Sequence, residues 1–133
     1  MKRIVILFIS LSILLGISIY AAPFLKEKTL NAREVKEKWG SEKLDFKKFK
    51  DGNQIQKAQM AFEILKEKTL IGKPINFIRE NFGPPDGFFF IDTYPAYIIQ
   101  EGNSHSEETW QIVFKLNEKH QVREVIVPKN CCA

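Results

Sequence analysis

Residues 70–87 read LIGKPINFIRENFGPPDG, a Gly-Lys pair ahead of a short apolar pattern that closes on Gly-Pro-Pro-Asp-Gly. A phosphate-binding loop would need G-x-x-x-x-G-K-[ST] after a strand, and only Gly72-Lys73 of that signature is present. The residues suit the punctuation of a helix instead. Pro74 fits a first helical turn, where a missing N–H is not needed. Ile75, Ile78 and Phe82 fall on one face. Gly83 stands where a C-terminal cap of positive φ is wanted, and Pro84-Pro85 prevents continuation.

Upstream, Asn53 and Gln56 have the spacing of a capping box, and a helix follows them. Its predicted core stripe is Ile55, Ala58, Phe62 and Leu65, widened by Ala61 and Ile64. Residues 26–39 are rich in Lys and Glu, with Leu30, Val35 and Trp39 the large apolar side chains, which supports a loosely amphipathic helix that either serves as a spacer or folds onto the domain. LDFKKFK then brings Leu44, Phe46 and Phe49 together before a turn at Asp51-Gly52-Asn53. The hexapeptide LKEKTL occurs at 25–30 and again at 65–70, but the two copies lead into dissimilar residues, NAREVKEKWG and IGKPINFIREN, so no repeat architecture is expected.

Downstream the composition turns to strands. FFFID (88–92) and AYIIQ (96–100) flank Pro95, which breaks a ladder or sits at an edge. TWQIVFKL alternates, placing Trp110, Ile112, Phe114 and Leu116 on one face. A turn at Asn117 to His120 leads into QVREVIVP. The expected fold is α+β: two helices packed on one face of a three- to four-stranded antiparallel meander, preceded by an N-terminal signal or anchor helix.

That N-terminal segment is an export signal by its pattern. Met1, Lys2 and Arg3 make a basic start, and no charged side chain occurs from Ile4 to Leu25. Ala21-Ala22-Pro23 offers a peptidase site after Ala21. The run is also long enough to span a bilayer uncleaved, which takes roughly 20 residues. The expected organisation is 1–21 signal peptide or anchor, 22–50 charged spacer with an aromatic segment, 51–129 the α+β domain, and 130–133 a tail. The product is exported, periplasmic or secreted, or held at the inner membrane by that helix, which is then its expected membrane contact.

The chain of 133 residues carries a net charge of +4, and loss of Lys2 and Arg3 leaves 18 basic side chains against 16 acidic ones. Charges alternate in sign along LKEKTLNAREVKEKW, which argues for a solvated face and against a nucleic-acid partner, whose footprint is a basic stripe. Cys131 and Cys132 are adjacent, with Cα atoms about 3.8 Å apart across a trans peptide, short of the roughly 4.4 to 6.8 Å of a relaxed disulfide. A strained ring, a bridge to another chain, or two free thiols all remain open for them.

The order of elements and the residues at the joints resemble the SmpA/OmlA (BamE-like) domain, whose fold is shared with the β-lactamase inhibitory protein. Gly72, Ile78, Phe82, Gly83 and Pro85 occupy the family's Gly, Val, Leu-Gly and Pro positions without a gap, and Pro74 replaces its capping Thr or Ser. The aromatic strand 110–116 and Val122, Val125 and Val127 are similar to its later strands, so the resemblance covers about residues 53–128. It implies an envelope scaffold or assembly factor of the outer-membrane-assembly type. No cysteine stands near the end of the apolar run, so lipid anchoring there is not implied.

No catalytic constellation is evident. His105 and His120 have no second ligand at metal spacing. Ser104 and Ser106 lack a nucleophile elbow. Glu107 and Glu108 point to opposite faces of a strand. No metal or cofactor is expected, and the role read from the sequence is non-catalytic binding of a protein partner in the cell envelope. The alternative is an inhibitor or immunity-type protein that plugs a soluble enzyme. What stands out is aromatic density: 11 Phe, 3 Tyr and 2 Trp. If the second face of the sheet is uncovered, Phe89, with Tyr94 and Tyr97, forms an apolar contact patch; otherwise the adjoining loop or the N-terminal segment covers it.

Overall fold

The structure, a computed structural model of the chain, describes residues 28–102 and 108–129. The signal or anchor segment, His105 and the Cys131-Cys132 pair lie outside those residues. Among the described residues, no helix is long and apolar enough to cross a membrane.

The fold is α+β. In chain order the elements are β1 (Thr29–Leu30), α1 (Ala32–Trp39), α2 (Phe46–Asp51), α3 (Gln54–Lys66), a 3₁₀ turn (Lys68–Leu70), α4 (Ile75–Phe82), β2 (Ala96–Gln100), β3 (Trp110–Leu116) and β4 (Val122–Pro128). The four strands form one antiparallel sheet in the order β1-β4-β3-β2. The meander from β2 to β4 agrees with the alternation in the sequence. Its fourth neighbour is β1, with Leu30 opposite Val127, and not the FFFID segment.

Helix ends follow local chemistry. Asn53 accepts from the N–H of Gln56 while the Gln56 side chain accepts from the N–H of Asn53, the expected capping box. Asn31 and Glu34 form a second such box at α1. Each Asn side chain satisfies an amide that would otherwise lack a partner, contributing about 1 kcal/mol. Pro74 is the N-cap of α4, and Gly83, at φ +89°, closes it by donating its N–H to the Arg79 carbonyl. Gly72, at φ +87°, donates to Val122 and the Val122 N–H donates to Lys73, so the loop before α4 is tied to β4.

The core lies between the helices and the inner face of the sheet. Phe46, Phe49, Phe82, Tyr97 and Phe114 pack mostly edge to face, with ring centroids 4.9 to 6.1 Å apart. Such contacts add about 0.5 to 1.5 kcal/mol each beyond the area they bury. Ala58, Met60, Ala61 and Ile64 of α3 are buried around them.

Three expectations are corrected. The fold takes in the described residues before 51 as well as those after: Val35 and Phe49 are fully buried, and α1 packs on α3 while α2 packs on α4. Lys and Glu on the outer sides of these short helices hide how much apolar surface they cover. The described helices therefore number four, with the short 3₁₀ turn besides. On α3 the buried stripe is rotated toward Met60, and Ile55 is 69% exposed. The two LKEKTL copies also diverge: Thr29-Leu30 is strand and Lys68–Leu70 a 3₁₀ turn, yet both final leucines enter the same core.

Candidate interaction surface

The segment after Gly83 lies on the second face of the sheet. The N–H groups of Asp86 and Gly87 both donate to the Ala96 carbonyl, at 3.2 and 2.9 Å. The Asp86 carboxylate accepts from the N–H of Ile98, at 2.9 Å. These three bonds occupy outward-facing groups of β2, an edge strand in this sheet. An open edge invites pairing with another chain; here the Pro-Pro-Asp-Gly loop closes part of it.

Gly87 is required by close approach. A Cβ there would stand 2.4 Å from Oε1 of Gln111 and 3.2 Å from Ala96. Gln111 is fully buried; its Nε2 donates to the Phe88 carbonyl at 2.7 Å, while its Oε1 has no hydrogen-bond partner. That oxygen is turned toward the space where Gly87 has only hydrogens on Cα, a place for a weak C–H···O contact.

Phe89 then turns inward. It packs on Ala96, Val113 and Ile126 in a small second core beneath the sheet, with Tyr94 at its side. The N–H of Ile91 donates to the Phe89 carbonyl at 2.6 Å, and Phe90 between them has φ +59°. A two-residue hydrogen bond across a positive φ is the strained form of the γ-turn. For a bulky residue this conformation costs of order 1 to 3 kcal/mol. It presents Phe88, Phe90 and Ile91 to solvent, at 51, 66 and 46% exposure.

The sequence-predicted contact residues are thus distributed differently. Phe89 is buried and serves as the root of the turn. Tyr97 is fully buried in the main core, because on β2 it shares the inner face with Ile99. Burial pushes its hydroxyl pKa well above the ordinary value. Tyr94 is half-buried between the two cores, with an Arg123 nitrogen 3.5 Å from its oxygen. The residues brought to the surface, Phe88, Phe90 and Ile91, were legible only as an apolar run. What distinguishes them is the unpaired turn, which alternation cannot reveal.

A concavity of about 470 Å³ lies where α1 ends, α3 begins and β2 ends, lined by Trp39, Ile55, Ala58 and Ile99 among others. Across it the Trp39 indole N–H donates to Gln100, and Gln54 lies near Glu101. Among the described residues, no group of three or more His, Cys, Asp or Glu could hold a metal ion.

No protein-family model matches this chain, and neither a curated protein nor a solved structure does so.

Proposed function

We propose that this chain is an exported, non-catalytic binding domain of the BamE-like kind, and that it holds an envelope protein through the turn from Phe88 to Ile91. The observation carrying this reading is the strained turn. Three large apolar side chains face solvent within four residues. The backbone beneath them is fixed by Phe89 packing and by the Gln111 bond to Phe88. Exposed apolar groups on a rigid base lose little freedom on binding, which is what a contact surface requires. Asp86 and Gly87 hold the flank of the turn to β2.

The test is an affinity capture from the native host with the wild-type chain and with Phe88→Ser, Phe90→Ser and Ile91→Ser combined. These side chains are exposed, so the triple variant should fold with an unchanged circular dichroism spectrum. Envelope proteins captured by the wild type and lost with the variant support the reading. Equal capture by both would remove the turn from the function. Capture of one soluble enzyme in stoichiometric complex would replace the scaffold with the inhibitor reading.

A further inference from the structure

Strand β2 stands at an edge of the sheet, with β3 on its inner side. Backbone groups along a strand alternate in direction. The Pro95 carbonyl accepts from the N–H of Phe114 on β3. The carbonyl of Ala96 and the N–H of Ile98 therefore point the other way, to where a further strand would pair with them. Edge strands are ordinarily blunted by lysine, proline, shortness or a bulge. AYIIQ carries no charged side chain, and its Tyr and Ile residues favour pleated pairing. A register shift between Ile98 and Gln100 blunts the second half of the strand. Its first half has neither charge nor bulge.

The loop after Gly83 lies on that first half. The amides of Asp86 and Gly87 donate to the Ala96 carbonyl in place of a strand amide, and the Asp86 carboxylate accepts from Ile98 in place of a strand carbonyl. Pro84 and Pro85 have no N–H, so the loop does not pass the pairing on to another chain. It is fastened at one end by the Tyr97 hydroxyl on Gly83 and at the other by Phe89 on Ala96, Val113 and Ile126. Against these fastenings stand the narrow space between Gly87 and Gln111, whose buried Oε1 has no partner, and the positive φ of Phe90. A segment with few bonds and stored strain opens before the rest of a fold does.

We infer that residues 84–87 guard the β2 edge, and that the occupant they exclude is β2 of a second copy of this chain. The two groups that the loop covers are complementary to themselves. With two β2 strands antiparallel about a two-fold axis and Tyr97 opposite Tyr97, the Ile98 N–H of each copy meets the Ala96 carbonyl of the other. No like charges meet across such a pair, because the strand has none. Asp86 is the residue that decides between the two states, since its carboxylate takes the Ile98 N–H that the second copy would use. The inference is independent of what the turn from Phe88 to Ile91 binds.

The test uses the full chain with Cys131→Ser and Cys132→Ser as background. Asp86→Ala with Gly87→Ala removes the acceptor and lifts the loop, because the new methyl overlaps Gln111 Oε1. Asp86→Asn keeps an oxygen for Ile98 and is the control. In dilute solution the Ile98 amide of the double variant should exchange with deuterium several-fold faster than that of the control. Raising the concentration should produce dimers of the double variant in sedimentation, absent from the control, and restore slow exchange at Ile98. The dimers should persist when Phe88→Ser, Phe90→Ser and Ile91→Ser are added, since the edge joins them and the turn does not. Unchanged exchange, faster exchange without dimers, or dimers without renewed protection of Ile98 would each overturn the guard. Dimers lost with the three serines would move the contact to the turn, and loss of the fold would make the loop a support of the domain; either result also overturns it.

Discussion

The hydroxyl of Tyr97 donates to the carbonyl of Gly83 across 2.8 Å, with the whole tyrosine removed from solvent. Gly83 ends α4, and Tyr97 stands near the start of β2, so this bond joins the helix stop to the sheet across the Pro-Pro-Asp-Gly loop. The loop is thereby held at both ends, at Gly83 by Tyr97 and at Ala96 by Asp86 and Gly87. That is why the turn beyond it has a fixed position on the second face of the sheet.

Replacing Tyr97 with Phe removes the donor and leaves the Gly83 carbonyl buried without this partner. A loss of about 1 to 3 kcal/mol is expected in denaturant melts. The same variant has a pH signature. The folded-state pKa of Tyr97 is raised by burial above the ordinary value of 10.0. The unfolded chain therefore releases that proton first, and the stability is present below about pH 10 and falls as pH rises above it. Tyr97→Phe should flatten this alkaline loss; an unchanged slope would show that the hydroxyl is ionisable in the folded protein.

Phe82 touches Phe46, Phe49, Tyr97 and Phe114, and is 1% exposed. Phe82→Ala should destabilise by roughly 3 to 5 kcal/mol. Ile55→Ala, at a position 69% exposed, should change stability by less than about 0.5 kcal/mol. Comparable losses at the two sites, measured in urea, would reverse the assigned orientation of α3.

Gly87→Ala should destabilise by about 1 to 3 kcal/mol, since the added methyl overlaps Gln111 Oε1 and presses on Ala96. The neighbour on one side is a backbone carbonyl carbon that the strand holds in place. A thermal melt equal to wild type would mean that the loop sits farther from β3 than described.

Phe90→Gly sets two effects against each other. Glycine accepts positive φ, which relieves of order 1 to 3 kcal/mol of strain. Loss of the ring removes the edge contact with Phe89 at 4.6 Å, worth about 0.5 to 1.5 kcal/mol. The expected result is stability at or above wild type together with weaker partner capture. A loss above about 1 kcal/mol would show that the ring supports the fold and is not held out for binding.

Legibility in the sequence tracked the range of the interactions. Asn53, Pro74 and Gly83 set helix ends through their own backbone and neighbours within four residues, and their spacing located α3 and α4 correctly. Trp110 to Leu116 and Val122 to Val127 were legible because one sheet face is buried and period two survives. Residues 88–92 misled because five residues rich in apolar side chains satisfy a strand pattern, while Gln111, far along the chain, holds Phe88 in a turn. β1 has two residues and α2 has six, too few to show a period. Asp45 capping Lys48 was the local sign of α2 that could have been read. The exposure of Phe88, Phe90 and Ile91 could not be read, because which of the four apolar side chains from Phe88 to Ile91 faces water depends on the φ of Phe90.

The most direct measurement is site-specific photo-cross-linking from position 90 in the native host, with a benzoylphenylalanine in place of Phe90 and a matched probe in place of Glu118 at the far turn. Adducts to an envelope protein from position 90, absent from position 118, are the predicted result. A folded, exported chain that yields no adduct at 90, or the same adducts from both positions, would contradict the assignment of the turn as the contact surface.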